Sequence, residues 1–324
     1  MNKADQRGIF ETLFSEGKNL LTFTGIILVF SGVFVTVQSF IGEFLPHDTS
    51  YLGMDAQTLG KVNQNIVNFM FHDRISFGGT LISIGALYIW LSEFPLRLKQ
   101  EWAWWVFFIS GLLGFASFLT YLGYGYFDSY HGYASLLLIP VFYLGLYKSY
   151  QSFDKKPSFN SLKSTTNKID FKSKTGIGFL FLYITSIGIT LGGLVIMIVG
   201  MTFVYVPQDL EYMTMCTGDF VEINPRLTPL IAHDRASFGG GLFSIGLTIF
   251  FIIKSGTPTK NLWQILLLSL SVGFISGIGV HFLIDYLSFT HLAPAYLGAI
   301  MAFIGLILTH QSMTQNNDRL ETNN

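Results

Sequence analysis

The sequence predicts an all-α polytopic membrane protein: eight transmembrane helices forming two tandem four-helix parallel repeats, with both termini inside. Three observations predict it. Half of the residues are hydrophobic and only 12% are charged, against about a quarter in soluble domains. Apolar runs long enough to cross a bilayer recur at even spacing. The segment His72-Asp73-Arg74-Ile75-Ser76-Phe77-Gly78-Gly79 returns as His233-Asp234-Arg235-Ala236-Ser237-Phe238-Gly239-Gly240.

Taken in order, residues 1–19 are polar and of mixed charge, and Ile9, Phe10, Leu13 and Phe14 leave room for a short interfacial helix. No cleavable signal is expected, because the first apolar run is long enough to stay as an anchor. Spans are expected near 20–41, 75–95, 103–124, 131–150, 176–204, 236–254, 261–284 and 291–310. Lys3, Arg7, Lys18, Arg97, Lys99, Lys148, the stretch Lys155 to Lys174, Lys254, Lys260 and Arg319 fall on one side of these spans. Lys61, Arg74, Arg226 and Arg235 fall on the other. The positive-inside rule then makes both termini and the central linker cytoplasmic, as expected in a plasma (bacterial inner) membrane. The chain divides into an N-terminal segment (1–19), a first membrane repeat (20–150), a basic linker (151–175) expected to be a mobile connection, a second membrane repeat (176–310) and a tail (311–324). A formal charge of −1 gives no sign of a nucleic-acid partner. With Cys216 the only cysteine, an internal disulfide is excluded.

The repeat extends beyond the motif at a constant offset of 161. Pro46, Asp48, Tyr51, Met54 and Asn63 meet Pro207, Asp209, Tyr212, Met215 and Asn224, and after one deletion His131 meets His291. Internal duplication is the physical reading. An even number of helices per unit makes the halves parallel, related by an axis along the membrane normal.

The repeated motif carries the chemistry. Neighbouring residues on a helix point about 100° apart, so His, Asp and Arg need separate partners. Asp73 and Asp234 suit helix N-caps. Arg74 and Arg235 suit pairing with Asp48 and Asp209, or with lipid phosphates. His72 and His233 can turn toward His131 and His291, and imidazole serves metal ligation, proton exchange or haem binding. His72, His131, His233 and His291 are therefore the candidate ligands for a transition metal or haem, with Asp48 or Asp209 completing a set in each half. Ser76, Gly79 and Ser83, and likewise Ser237, Gly240 and Ser244, form small-residue faces for close helix packing. Leu59, Val62, Ile66 and Met70 suggest an amphipathic lid helix over the outer mouth, with Phe220, Ile223, Leu227 and Leu230 as its counterpart.

The copies also differ. His281 and Asp285 share a helix face at i, i+4 where the first half has Tyr121 and Gly125, and His47 is replaced by Gln208. An ionisable pair inside a span marks a functional position. Three functions fit. The outward-facing polar sites bind or transport a small polar or anionic solute. Alternatively they form a metal- or haem-dependent oxidoreductase or hydrolase. Or the chain is a noncatalytic subunit whose lids bind a partner within a membrane complex.

Overall fold

The computed structural model describes residues 17–116, 123 and 125–314, and every regular element in them is helical. The expected interfacial helix at Ile9–Phe14, the position Tyr121 and the end of the tail lie outside the described residues. The helices are α1 (Gly17–Ile41), α2 (Pro46–Leu52), α3 (Ala56–Leu91), α4 (Glu101–Ala116), α5 (Ser129–Gln151), α6 (Lys174–Met201), α7 (Pro207–Met213), α8 (Asp219–Ile223), α9 (Leu227–Ser255), α10 (Lys260–Leu283) and α11 (Phe289–Thr314). A π-helical turn, Ser92–Leu96, continues α3 around Pro95.

Among the described residues six helices, not eight, are long and apolar enough to cross a membrane: α1, α3 with its π turn, α6, α9, α10 and α11. The expected third span is represented by α4, apolar but described over only 16 residues. The expected fourth span, α5, has 23 residues, but Ser129, Tyr130, His131, Ser135, Pro140, Lys148 and Ser149 dilute its apolar content. Its length misled the sequence reading, which counted aromatic and small residues as lipid-compatible. The chain is a multi-pass integral membrane protein, and the exposed Phe30, Leu137, Leu191, Ile275 and Ile307 present its apolar exterior to a bilayer.

The helices do not separate into two four-helix bundles either. α3 packs extensively on α10 and on α9, both from the other half, and barely on α4 in its own. α9 in turn packs on α4. The crossings are made at small residues, where backbones approach closely. A Cβ on Gly78 would lie 2.8 Å from the Gly32 carbonyl, and one on Gly239 would lie 2.8 Å from that of Gly193. Ser83 Oγ donates to the Ser269 carbonyl and Ser244 Oγ to that of Ser110, each at 3.0 Å. Duplication is legible in these matched contacts, but each half completes its packing with helices of the other.

Gly79 faces α10 at the Ser276 side chain, and a Cβ there would lie 2.4 Å from Ser276 Cβ. Gly79→Leu is therefore expected to force α3 and α10 apart and to lower stability by about 3 kcal/mol, the upper range for overpacking. Gly188→Leu on α6, with nothing within 4 Å of an added Cβ, is expected to be neutral. Thermal unfolding of both variants in detergent checks the contrast.

At one end of the bundle the long loops fold inward as a second apolar core containing Phe44, Leu59, Ile66, Met70, Phe220 and Leu230. The expected lid at residues 59–70 straddles a break: a short helix capped by Asp55, which accepts from the Thr58 amide at 2.7 Å, runs up to Asn63, whose backbone is non-helical (φ −156°, ψ 107°), and the long part of α3 follows. Leu59, Ile66 and Met70 are fully buried in the chain itself. The loops clasp each other: Asn63 Nδ2 donates to the Met213 carbonyl at 2.8 Å, and Asn224 Nδ2 to that of Leu52 at 2.7 Å. At the opposite end the basic linker is docked rather than free. Asn167 Nδ2 donates to the Ile253 and Gly256 carbonyls at 2.6 and 2.8 Å, and Leu162 and Phe153 are buried.

Candidate functional site

The helices α2 and α7 each begin with proline, which presets the first helical φ, and each carries an aspartate in its first turn. That register drops Asp48 and Asp209 onto the motif arginines. Arg74 Nη1 donates to Asp48 at 2.7 Å and Arg74 Nε to Asp234 at 2.7 Å. Arg235 Nη1 donates to Asp209 at 2.5 Å, and its Nε lies 3.5 Å from Asp73. Each arginine thus bridges the loop aspartate of its own half and the motif aspartate of the other. Two tyrosines complete the arrangement, Tyr126 donating to Asp48 and Tyr286 to Asp209, the latter at 2.8 Å. Burial and the adjacent carboxylates push both phenols well above their ordinary range. Burial alone would raise Asp209, but the Arg235 guanidinium outweighs it and holds the carboxyl below its usual value.

Asp73 and Asp234 are not N-caps. α3 begins 17 residues before Asp73, at Ala56, and α9 begins at Leu227, so both aspartates lie inside helices. What excludes the capping role is that the helix restarts just after the break at Asn63, well before Asp73, and that Asp234 lies seven residues into α9.

Beside Arg74 lies a cluster of ligand-type side chains. One oxygen or nitrogen from each of Asp128, His131 and His233 lies within 4.8 Å of the others, an arrangement able to coordinate a metal ion. Asp128 caps α5 by accepting from the His131 amide at 2.9 Å, which fixes its carboxylate. Its Oδ1 is 3.0 Å from His47 Nε2 and its Oδ2 is 3.6 Å from His233 Nε2. Burial opposes the anion, yet the hydrogen bonds from His233 and His47 hold Asp128 well below the usual carboxylate range. For His47, burial works against the cation, but Asp128 and Asp48 outweigh it and raise the imidazole above its ordinary value.

The pairing of histidines differs from the within-half pairs His72/His131 and His233/His291. His233 lies with His131, ring centroids 5.6 Å apart. His72 lies with His281, centroids 4.3 Å apart, and His291 is 5.3 Å from His281. The exchange follows from the crossing of α3 and α9 into opposite halves. His281 does not pair with Asp285 as the i, i+4 spacing suggests. α10 ends at Leu283 and Asp285 takes a left-handed conformation, φ +59°, so the shared helix face no longer exists there. Asp48 and Asp209 serve the arginines, and Asp48 also lies 3.4 Å from His47 Nε2, so the carboxylate that joins His131 and His233 is Asp128 instead.

Asp128, Tyr126 and Tyr286 are the functional side chains that sequence reasoning passed over. Tyr126 and Tyr286 precede His131 and His291 by five residues in each copy, a repeat signal that was present. Asp128 has Ser288 as its counterpart, so it lacked one.

The Asp128 cluster forms the polar end of a cavity of about 510 Å³ between α1, α3, α4, α5 and α9. Its body is apolar, with Leu28, Phe34, Leu81, Ile84 and Leu138 in the walls, and Arg74, Asp128, His131, His233 and Asp234 at one end. α1 and α5 touch tightly where a Cβ on Gly145 would lie 3.0 Å from Leu20 Cβ. Phe30, Phe34 and Tyr130, which line the cavity on these two helices, are exposed. No family model, curated protein or solved structure matches the chain.

Proposed function

We propose that this protein is a membrane-embedded, metal-dependent enzyme acting on an amphipathic substrate. A divalent transition-metal ion is held by Asp128, His131 and His233, and the apolar body of the substrate lies in the cavity with its polar end at those residues. The observation that carries the reading is the position of this donor set in the lining of a mainly apolar cavity between α1, α3, α4, α5 and α9. Two imidazoles and one carboxylate suit zinc in hydrolytic sites and iron(II) in oxidative ones. Bound there, such an ion supplies Lewis acidity to the substrate's polar group or redox chemistry toward it.

The protein's own contribution is orientation and exclusion of water. Asp128 is fixed by its capping bond and by His47, and the Phe77 ring packs against His131 with centroids 5.6 Å apart. Haem fits this set poorly, because the carboxylate 3.6 Å from His233 Nε2 occupies the face that a porphyrin would need.

Charge balance separates this reading from the binding of an anionic solute. The polar end of the bundle gathers five aspartates (Asp48, Asp73, Asp128, Asp209 and Asp234) and two arginines. The five carboxylates outnumber the two guanidiniums even with the His47 imidazole held toward its charged form, and each arginine already lies between two of the acids. Such a region attracts cations. Docking of a partner on the lid segment has little to rest on, since Leu59, Ile66 and Met70 are consumed by the chain's own core and only Val62 of the four is exposed. The basic residues cluster at the other end, which by the positive-inside rule puts the site on the outer side.

The test is metal analysis with an absorption spectrum on purified protein. Stoichiometric zinc or iron is expected in the wild type, lost in His233→Leu and kept in His310→Leu at the far end of α11. Equal metal content in all three, or none in the wild type, would overturn the proposal.

A further inference from the structure

The linker between α5 and α6 concentrates positive charge. Over residues 151–174 six lysines (Lys155, Lys156, Lys163, Lys168, Lys172 and Lys174) outnumber two aspartates, Asp154 and Asp170, and all eight are exposed. A segment of that charge is ordinarily solvated throughout and poor in large apolar residues. This one is not. Phe171 is 73% exposed, Phe159 54% and Ile169 43%. Two of them alternate with lysines in the run Lys168-Ile169-Asp170-Phe171-Lys172.

These side chains stay outside because the backbone that carries them is strapped to the bundle. The inward residues Phe153, Leu162 and Asn167 are buried. Besides the two bonds from the Asn167 side chain, the Thr166 amide donates to the Lys254 carbonyl at 2.7 Å. Lys254 Nζ donates to the Leu162 carbonyl, and the Ser158 amide to Glu101 Oε2, each at 2.8 Å. Tyr183 on α6 donates to the Asn167 carbonyl at 3.0 Å. The apolar residues of the linker therefore form two sets, one consumed by the bundle and one left outside on a fixed backbone.

The neighbours of the outer set fix its depth. Trp105, near the start of α4, donates Nε1 to the Pro157 carbonyl at 3.3 Å, and its ring meets Phe159 edge-on with centroids 5.2 Å apart. Tryptophan favours the boundary between headgroups and hydrocarbon. At the other end of the linker, Phe171 lies three residues before α6 begins at Lys174, and α6 is long and apolar enough to cross a membrane. Both ends of the exposed set thus lie at a membrane boundary, on the side that the positive-inside rule makes cytoplasmic.

We propose that the docked linker is a binding surface for the anionic lipid headgroups of the cytoplasmic leaflet. Phe159, Ile169 and Phe171 enter the boundary between headgroups and acyl chains, and the lysines among them engage lipid phosphates. Charge decides against a second copy of this chain as the occupant, because a twofold contact would set lysines against lysines. Depth decides against an acidic protein, because the exposed phenylalanines already lie where lipid is. The surface is at the opposite end of the bundle from the Asp128 cluster, and its role does not depend on the metal reading.

The experiment places a nitroxide on Phe171→Cys in the full-length chain carrying Cys216→Ser, which removes the only native cysteine. The protein is reconstituted in lipid discs, and collisions with oxygen and with a water-soluble nickel chelate report how deeply the label is immersed. In discs of equal phosphatidylcholine and phosphatidylglycerol, the label is expected to be shielded from nickel and open to oxygen. It should approach the behaviour of a label on Leu191→Cys, on the exposed apolar face of α6. That shielding is expected to be lost in discs of phosphatidylcholine alone. It is also expected to be lost with phosphatidylglycerol at about 1 M salt, where the Debye length falls to about 3 Å. Shielding that is equal in both lipids and survives salt shows apolar contact without headgroup recognition, and overturns the proposal. A label open to nickel in every disc also overturns it and leaves the surface to an acidic protein. Lys168→Gln/Lys172→Gln/Lys174→Gln in the labelled chain is expected to abolish the shielding with an unchanged unfolding transition, since these side chains are exposed. Full shielding in that variant overturns the role given to the lysines.

Discussion

Arg235→Gln is expected to destabilise the protein by about 3–5 kcal/mol at neutral pH, the range for breaking a buried ion pair from one side. Arg235 is 5% exposed and holds Asp209 and Asp73 apart from each other's charge. It also donates to the Val204 carbonyl at 2.7 Å and lies over the Phe69 ring, 4.8 Å from its centroid. Glutamine leaves two buried carboxylates without a counter-ion. The pH dependence identifies the cause. Asp209 has a folded-state pKa below its ordinary value, so its contribution is present above that ordinary value and is lost as pH falls through the folded one. In the variant the unpaired acids are instead relieved by protonation. The deficit relative to wild type is therefore expected to shrink steadily toward about pH 4, near the ordinary carboxylate pKa. Adding Asp209→Asn to Arg235→Gln is expected to recover part of the loss at neutral pH, because it removes one uncompensated charge. A deficit that neither acid nor the second substitution reduces would locate the cost in lost packing over Phe69. Chemical denaturation in detergent across that pH range makes the comparison.

The features read correctly from the sequence are those that depend on local spacing. The apolar runs gave the membrane class, and the offset of 161 placed Asp48 against Arg74 and Asp209 against Arg235 in matching geometry. Loop aspartates and motif arginines pair within a half, so one copy of the repeat contains both partners. What the sequence hid is exchange between halves. Arg74 also takes Asp234, His233 meets His131, and His72 meets His281. All of these depend on α3 and α9 packing on the other half's helices, which the contacts of Gly79 with Ser276, Ser83 with Ser269 and Ser244 with Ser110 decide. No periodicity in one segment reports that. The expected lid helix failed for a similar reason. The spacing of Leu59, Ile66 and Met70 indicated helical structure, but periodicity shows neither the break at Asn63 nor the burial of these side chains in the chain's own core. Asp128 was invisible because its role arises only where the α5 cap meets His47 and His233.

Ser31→Trp is expected to empty the cavity of its occupant while leaving the metal in place. Ser31 lines the apolar body of the cavity from α1, on a different helix from Asp128, His131 and His233. An indole there fills space that an acyl or isoprenoid-like chain would need, and complementarity in such pockets is sensitive to single groups. The walls around it are mainly apolar, with Leu28, Phe34, Leu81, Ile84 and Leu138 outweighing the hydroxyls of Ser31, Thr80, Tyr88, Ser135, Ser237 and Ser244. A water-soluble metabolite would therefore gain little from the body of the cavity. An amphipathic molecule gains roughly 25 cal/mol for each Å² of apolar surface it buries, provided it is drawn from water rather than from lipid. From lipid that gain largely cancels, and selectivity then rests on the polar end, where Asp128, His131 and His233 converge. The expectation is specific: apolar extracts of purified wild type contain a defined amphipathic compound at more than ten times its amount in Ser31→Trp, with equal zinc or iron in both. His233→Leu is expected to lose the metal and also the selectivity, retaining bulk lipid instead. Identical extracts from wild type and Ser31→Trp would mean that the cavity is not the substrate site, and the metal cluster would then have to act on a small solute reaching it past the loops.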